Sequence, residues 1–211
     1  MWKIRVAVLM LVMLSAFVTR EFWSMRIGQS LACKEQLSQS DLILVENIDP
    51  DYLLFERAAT LQKAGFGARV LIPVQVSHNS ERANAVSMGI AELMGRVSQM
   101  RTSEIMPIRV PEPISLNAAF EIRDFLTKEH VTSAIVVTSG FRSKRSSLIY
   151  QAVLAPAGIR VSCIPVFVGA DPEDWPETWH GIQEVTEQFL KLQFYRFYVL
   201  LKPGSVTLKQ I

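Results

Sequence analysis

The sequence has few of the residues that build metal and redox sites. Its 211 residues include only two cysteines, Cys33 and Cys163, and these do not form a CxxC pair. Its three histidines, His78, His130 and His180, do not occur in an HExxH motif. These absences argue against a zinc ribbon, a thioredoxin-like redox site and a zinc protease. We therefore predict no metal site, and we predict that the two cysteines stay unpaired.

The sequence also lacks a large excess of charge and the glycine motifs that bind nucleotides. With 22 basic and 20 acidic residues, its formal net charge is +2, and no basic tract is interleaved with aromatics. This balance argues against a nucleic-acid partner. Neither a Walker A loop nor a GxGxxG fingerprint is present, so no nucleotide is indicated and the cofactor stays unknown. The 49% of hydrophobic and 20% of charged residues are typical of a globular domain.

The first segment is biased towards apolar residues. Lys3 and Arg5 precede an uncharged apolar run over residues 6–18, and Trp2 and Trp23 flank this run. The pattern favours an uncleaved signal-anchor over residues 1–23, with a cleaved signal peptide or a buried core helix as alternatives. We accordingly expect a single-pass protein of the inner or plasma membrane, with its main domain outside the cytoplasm. Residues 24–40 are expected to form a tether.

Strand-like and helix-like segments alternate five times over residues 41–201. The predicted strands cover residues 41–45, 68–74, 104–110, 133–139 and 158–168, and the predicted helices cover 49–65, 81–97, 116–130, 143–154 and 177–201. Pro107 makes the third strand an edge candidate. The alternation predicts a Rossmann-like three-layer α/β sandwich with a mostly parallel five-stranded sheet. Residues 202–211 are expected to form a tail.

Polar residues follow each predicted strand, at the edge of the sheet where ligands usually bind. They are Glu46, Asn47, Gln75, Ser77, His78, Asn79, Glu112, Ser115, Ser139, Arg142, Arg145, Asp171, Asp174 and Trp175. Arg142 and Arg145 lie at a helix start, where cations are unfavourable unless an anion is bound. The pattern predicts a pocket for phosphate, pyrophosphate or carboxylate. Alternatively, the arginines pair with carboxylates such as Glu46 or Glu112, or they lie in solvent.

The other polar candidates allow more than one role. Glu46 could act as a base or could only anchor an arginine. His78 is either an acid–base group or a surface residue of its loop. Ser115 is interpreted as a helix cap rather than a nucleophile, because no GxSxG motif surrounds it. Asn117, one turn further on, could reach a ligand, and the last helix is interpreted as a core helix or one that touches a bilayer.

Four stretches of the sequence together resemble the YdcF-like family of envelope proteins. These are DLILVEN (41–47), SLNA (115–118), VTSGFRSKRS (137–146) and EDWPETWHG (173–181). The resemblance implies a Rossmann-like fold, an envelope role and a ligand-binding set of Glu46, Asn47, Arg57, Ser115, Asn117, Ser139, Arg142 and Arg145. Arg142 stands at the family's histidine and Glu46-Asn47 at its usual Gly-Gly. These departures favour binding over catalysis, and we assign no catalytic residue.

Three functions fit these observations. The first is a membrane-anchored envelope protein that binds an anionic ligand, such as a phosphorylated or lipid-linked glycan precursor of peptidoglycan metabolism. The second is an enzyme that binds a nucleotide or S-adenosylmethionine in the crevice of the sheet. The third is a non-catalytic scaffold for envelope machinery.

Overall fold

The structure, a computed structural model, describes residues 2–48, 51–77 and 80–201. The predictions for Asp49, Pro50, His78, Asn79 and the tail therefore lie outside the described residues. The strands are β1 Leu42–Val45, β2 Arg69–Gln75, β3 Ser103–Ile108, β4 Ser133–Ser139 and β5 Arg160–Val166. The helices are α1 Trp2–Val18, α2 Arg20–Leu31, α3 Tyr52–Lys63, α4 Glu81–Val97, α5 Ile114–Lys128, α6 Ser143–Leu154 and α7 Trp179–Phe194. A short π-helical turn, Tyr195–Val199, continues α7.

The five strands form one parallel sheet in the order β3-β2-β1-β4-β5. Successive residues of β1 point to opposite faces: Leu42 and Leu44 pack with α5 and α6, whereas Ile43 and Val45 pack with α3. All four are buried because helices cover both faces. The predicted Rossmann-like sandwich is thereby confirmed.

The order of the strands determines where a ligand can enter. The chain runs from β1 outwards through β2 to β3, and then crosses back to place β4 on the other side of β1. The carboxyl ends of β1 and β4 therefore flank the switch point of the sheet, where such folds bind ligands. β3, which contains Pro107, is an edge strand, as the sequence predicts.

Helix α1 does not have the dimensions of a membrane span. Its 17 residues extend about 25 Å, less than the roughly 30 Å of a bilayer's hydrocarbon core. The following helix, α2, carries Arg20, Glu21 and Arg26. Across the described part of the chain, no helix is both long enough and apolar enough to cross a membrane. The predicted location as a single-pass membrane protein is therefore wrong, and a signal-anchor is not shown.

The segment expected to be a tether packs against the domain. Leu31, at the end of α2, is fully buried against Phe141 and Val185. The Trp175 indole N–H donates to the Ser24 carbonyl at 2.9 Å. Gly28 permits this packing, because a Cβ there would lie only 2.9 Å from the backbone of Pro172.

The same packing brings the two cysteines together. Cys33, two residues after α2, forms a disulfide with Cys163 in β5, and their Cα atoms are 6.3 Å apart. The prediction that they stay unpaired is wrong, because it placed Cys33 in a free tether. Cys163 itself is buried.

Candidate functional site

A buried carboxylate lies at the switch point of the sheet. Glu46 directly follows β1, and only 2% of its surface is exposed. Its Oε2 accepts a hydrogen bond from the Ser146 hydroxyl at 2.5 Å and another from the Thr138 hydroxyl. The same oxygen lies 3.6 Å from Nε of Arg142. Of the two roles considered for Glu46, these contacts fit that of an arginine anchor.

The turn between β4 and α6 places both arginines on one side of the helix start. Gly140 begins this turn and lies against Phe167, whose ring a Cβ at position 140 would overlap. The Ser143 hydroxyl donates to the Gly140 carbonyl at 2.5 Å and accepts from the Cys33 N–H at 2.9 Å. Arg142 and Arg145 are three residues apart, so their side chains lie on the same side of the helix start.

Arg145 is buried among neutral partners. Its surface is 5% exposed, its Nη2 donates to Oε1 of Gln188 at 3.0 Å, and its Cζ lies 5.3 Å from the centroid of the Tyr195 ring. Its Nε has no hydrogen-bond partner among the described residues. Burial lowers the pKa of Arg145, and the charge of Arg142 lowers it further. The carboxylate of Glu46 raises this pKa and offsets part of the effect.

The two arginines line a cavity of about 310 Å³, here called the arginine cavity. Its lining residues are Ile48, Glu112, Pro113, Ile114, Ser115, Arg142, Arg145, Gln188, Lys191, Phe194 and Tyr195. Three of these are basic and one, Glu112, is acidic. Lys191 also pairs with Glu187 on its own helix. Burial raises the pKa of Tyr195, while the charge of Arg145 and a hydrogen bond with Ser115 lower it.

Helix α5 begins at the wall of this cavity. Its cap position is Pro113, which supplies no capping side chain, and Ser115 lies inside the first turn. The prediction that Ser115 caps this helix is therefore wrong, because the helix starts one residue before it. The Ile114 N–H instead donates to Oε2 of Glu112 at 3.2 Å. The positive end of the α5 dipole adds to the positive potential of the cavity.

The structure brings together some of the residues predicted from the sequence and separates others. Ser115, Arg142 and Arg145 line the arginine cavity, and Glu46 lies behind them. Asn117 is buried, and its side-chain amide donates to the Pro111 carbonyl at 2.8 Å rather than lining the cavity.

Other residues predicted for the site do not line the arginine cavity. Arg57 forms a surface ion pair with Glu35 at 2.7 Å, away from the cavity. Ser139 is half-buried at the end of β4 and is not among the residues that line the cavity. Asp171 accepts the backbone N–H groups of Glu173 and Asp174 and so stabilises its own loop.

Three site residues that sequence reasoning missed lie on α7 and the turn after it. Gln188, Lys191 and Tyr195 are three and four positions apart, and they therefore share one helix face. The many apolar residues of this segment instead favour a core helix or one that touches a bilayer. Half of the residues of α7 are polar, so these three residues carry no distinctive signal in the sequence.

A second cavity, of about 220 Å³, lies at the carboxyl ends of β1 and β2. Its lining residues are Asn47, Ile48, Val74, Gln75, Ser87 and Ile90, and all of them are neutral. Ile48 lines both cavities. The two cavities are thus neighbours across the end of β1.

Comparisons with known proteins add little to this geometry. No family model matches the chain, and no curated protein matches it. Among solved structures, the chain is similar to a universal stress protein crystallised in complex with cAMP. That likeness has a TM-score of 0.40 and 14% sequence identity, and it covers 61% of this chain and 98% of the other. It is too distant to carry an argument about function.

Proposed function

We propose that this protein binds an anionic small molecule, carrying a phosphate or carboxylate group, in the arginine cavity. The observation that carries the proposal is the burial of two guanidinium groups beside Glu46, the one buried carboxylate among the described residues. Arg142 and Arg145 are 6% and 5% exposed, and Glu46 lies nearest to Arg142. Among the described residues, no carboxylate forms an ion pair with Arg145, and a bound anion would supply that partner.

The energetic argument is that a buried charge without a counter-charge is costly. Arg145 has lost much of its hydration, and its contacts are a neutral amide and an aromatic ring. Guanidinium groups bind phosphate and carboxylate through paired, charge-assisted hydrogen bonds. An anion in the cavity therefore gains strong hydrogen bonds while it removes the cost of burying the cation.

The composition of the cavity supports binding rather than proton transfer. No histidine is among its described lining residues. Arg142 occupies the position where the YdcF-like pattern has histidine, and a guanidinium keeps its proton at any ordinary pH. A phosphorylated glycan precursor, the ligand class implied by that resemblance, carries an anionic group of the kind we propose here.

The test is calorimetric titration of pyrophosphate into wild-type protein and Arg145→Met. We expect the substitution to weaken binding by about 10- to 150-fold, the equivalent of about 1.5–3 kcal/mol for a charge-assisted hydrogen bond. The matched control is Arg57→Met, which removes an arginine outside the cavity and should leave the affinity unchanged.

The same variants separate a binding role from a structural one. No carboxylate forms an ion pair with Arg145 in the described part of the chain, so the ligand-free stability of Arg145→Met should change by no more than about 1 kcal/mol. Strong destabilisation without ligand, together with an unchanged response to pyrophosphate, would contradict the proposal.

A further inference from the structure

We infer that the ligand is a phosphate ester that spans both cavities, with its anionic group beside the arginines and a neutral, hydrogen-bonding part in the second cavity. This inference rests on the proposed function and adds a ligand class to it. It is carried by Ile48, which lines both cavities, and by the contrast in their linings.

The two cavities differ in charge. The arginine cavity is lined by Arg142, Arg145 and Lys191, whereas no charged residue is among the described lining of the second cavity. The described linings therefore favour a ligand that is anionic at one end and uncharged at the other. A second, distant anionic group would meet no cationic residue among the described lining of the second cavity.

The lining of the second cavity shows what kind of neutral group fits it. Asn47, Gln75 and Ser87 offer amide and hydroxyl groups, and Val74 and Ile90 offer apolar surface. Asn47 is 7% exposed, and its buried Oδ1 has no hydrogen-bond partner in the described part of the chain. Such a buried, unused acceptor is costly unless a donor from a ligand or water reaches it.

This combination of mixed polar and apolar walls suits a ring that carries hydroxyl or amide groups. The ring of a sugar phosphate and the nucleoside part of a nucleotide both have this chemistry. The shared ligand class is therefore a phosphate ester of a neutral, hydrogen-bonding ring, and the experiment distinguishes the two sources.

Isoleucine methyl groups report on each cavity separately. Ile114 lines only the arginine cavity, Ile90 lines only the second cavity, and Ile182 on α7 lines neither. We would label the isoleucine δ1 methyl groups with ¹³C and titrate inorganic phosphate, glucose 1-phosphate and adenosine 5′-monophosphate. Phosphate should shift the Ile114 signal alone. At least one ester should shift both Ile114 and Ile90, leave Ile182 unchanged, and bind at least tenfold more tightly than phosphate.

A variant that fills the second cavity provides a second test of the spanning ligand. Ser87→Phe should reduce the affinity for the tighter ester to that for phosphate, and it should leave phosphate binding unchanged. The control is Ala85→Phe, which places the same ring at an exposed position two residues away on α4 and should have neither effect.

The possible failures can be told apart. If all three ligands shift Ile114 and none shifts Ile90, or if Ser87→Phe leaves the affinity for the ester unchanged, the spanning ligand is overturned and the anion site stands. If no ligand shifts Ile114, the anion site is overturned, and the spanning ligand is overturned with it.

Discussion

At the scale of single residues, Glu46 holds together the polar cluster beneath the arginine cavity. One of its oxygens is shared by Thr138, Ser146 and Arg142. Burial, and to a smaller extent the charge of Glu46, raises the pKa of the Tyr150 hydroxyl well above its ordinary value. The negative charge of Glu46 therefore lies beside two buried guanidinium groups, with Arg142 nearest to it.

Replacing this charge should make the protein depend on its ligand. Glu46→Gln keeps the shape of the side chain but leaves the buried Arg142 without its carboxylate. We expect a loss of about 3 kcal/mol in the free energy of unfolding, as for other broken buried ion pairs. Saturating pyrophosphate should recover much of this loss, so it should stabilise the variant more than it stabilises wild-type protein.

Denaturant unfolding with and without pyrophosphate measures both effects. The control is Glu35→Gln, which breaks the exposed pair with Arg57 and should cost less than about 1 kcal/mol. If Glu46→Gln and Glu35→Gln lose the same free energy of unfolding, the charge of Glu46 does not stabilise the buried Arg142.

The sequence predicts part of this site and cannot predict the rest. Arg142, Arg145 and Glu46 could be grouped because they follow strands that a parallel sheet aligns at one edge. Gln188 and Tyr195 reach the same cavity from a helix that lies far away in the chain. Their position depends on how α7 packs, and the local sequence pattern contains no information about that packing.

At the scale of elements, a reciprocal set of hydrogen bonds joins the beginnings of β1 and β4. Oδ2 of Asp41 accepts from the Thr132 N–H at 2.9 Å, the Thr132 hydroxyl at 2.8 Å and the Ser133 N–H at 3.0 Å. The Ser133 hydroxyl in turn accepts from the Asp41 N–H at 3.0 Å. These contacts fix the alignment of the two strands whose opposite ends form the switch point.

The hydrogen bonds from Thr132 lower the pKa of Asp41, which predicts how stability depends on pH. A carboxyl whose pKa is lower in the folded state contributes stability above its unfolded pKa of about 3.9 and loses it as pH falls through the folded pKa. Asp41→Asn should therefore be less stable than wild-type protein at pH 7, and the difference should shrink below about pH 4.

Unfolding titrations between pH 7 and pH 2.5 provide the measurement. Thr132→Val removes one of the three donors and should give an intermediate dependence on pH. A stability difference between Asp41→Asn and wild-type protein that stays constant over this range would refute the linkage.

Element by element, the sheet follows from the sequence, whereas the packing of α2 does not. The three inner strands, β1, β2 and β4, are runs of mostly apolar residues buried on both faces, so they have a strong signal. Helix α2 buries only Gly28 and Leu31, and two buried positions produce no periodic pattern. For the same reason, the segment that follows it could not be recognised as part of the domain.

At the scale of the whole molecule, the disulfide joins positions 130 residues apart. It fastens the segment after α2 to β5, an edge of the sheet, and Cys33 also donates its N–H to Ser143 at the start of α6. The sequence could not pair the cysteines, because their proximity depends on both the strand order and the packing of α2.

Reduction of this bond should lower the stability of the fold. We expect a loss of about 2–4 kcal/mol, as is typical of a disulfide that closes a long loop. Denaturant unfolding with and without dithiothreitol measures this loss, and the intact mass should rise by two hydrogens. The double variant Cys33→Ala/Cys163→Ala should show no response to reductant, and an unchanged midpoint in reduced wild-type protein would contradict the prediction.

The disulfide also determines how the protein responds to mechanical tension between its ends. The covalent ring closed by Cys33 and Cys163 contains four complete strands and α6, so a pull on the termini cannot extend them while the bond is intact. Reduction would release roughly 450 Å of additional contour length, at about 3.5 Å per residue. Helices α1, α2 and α7 lie outside the ring and bear the load directly. Tension would therefore act on the helix that carries Gln188 and Lys191 while the strands enclosed by the ring stay folded.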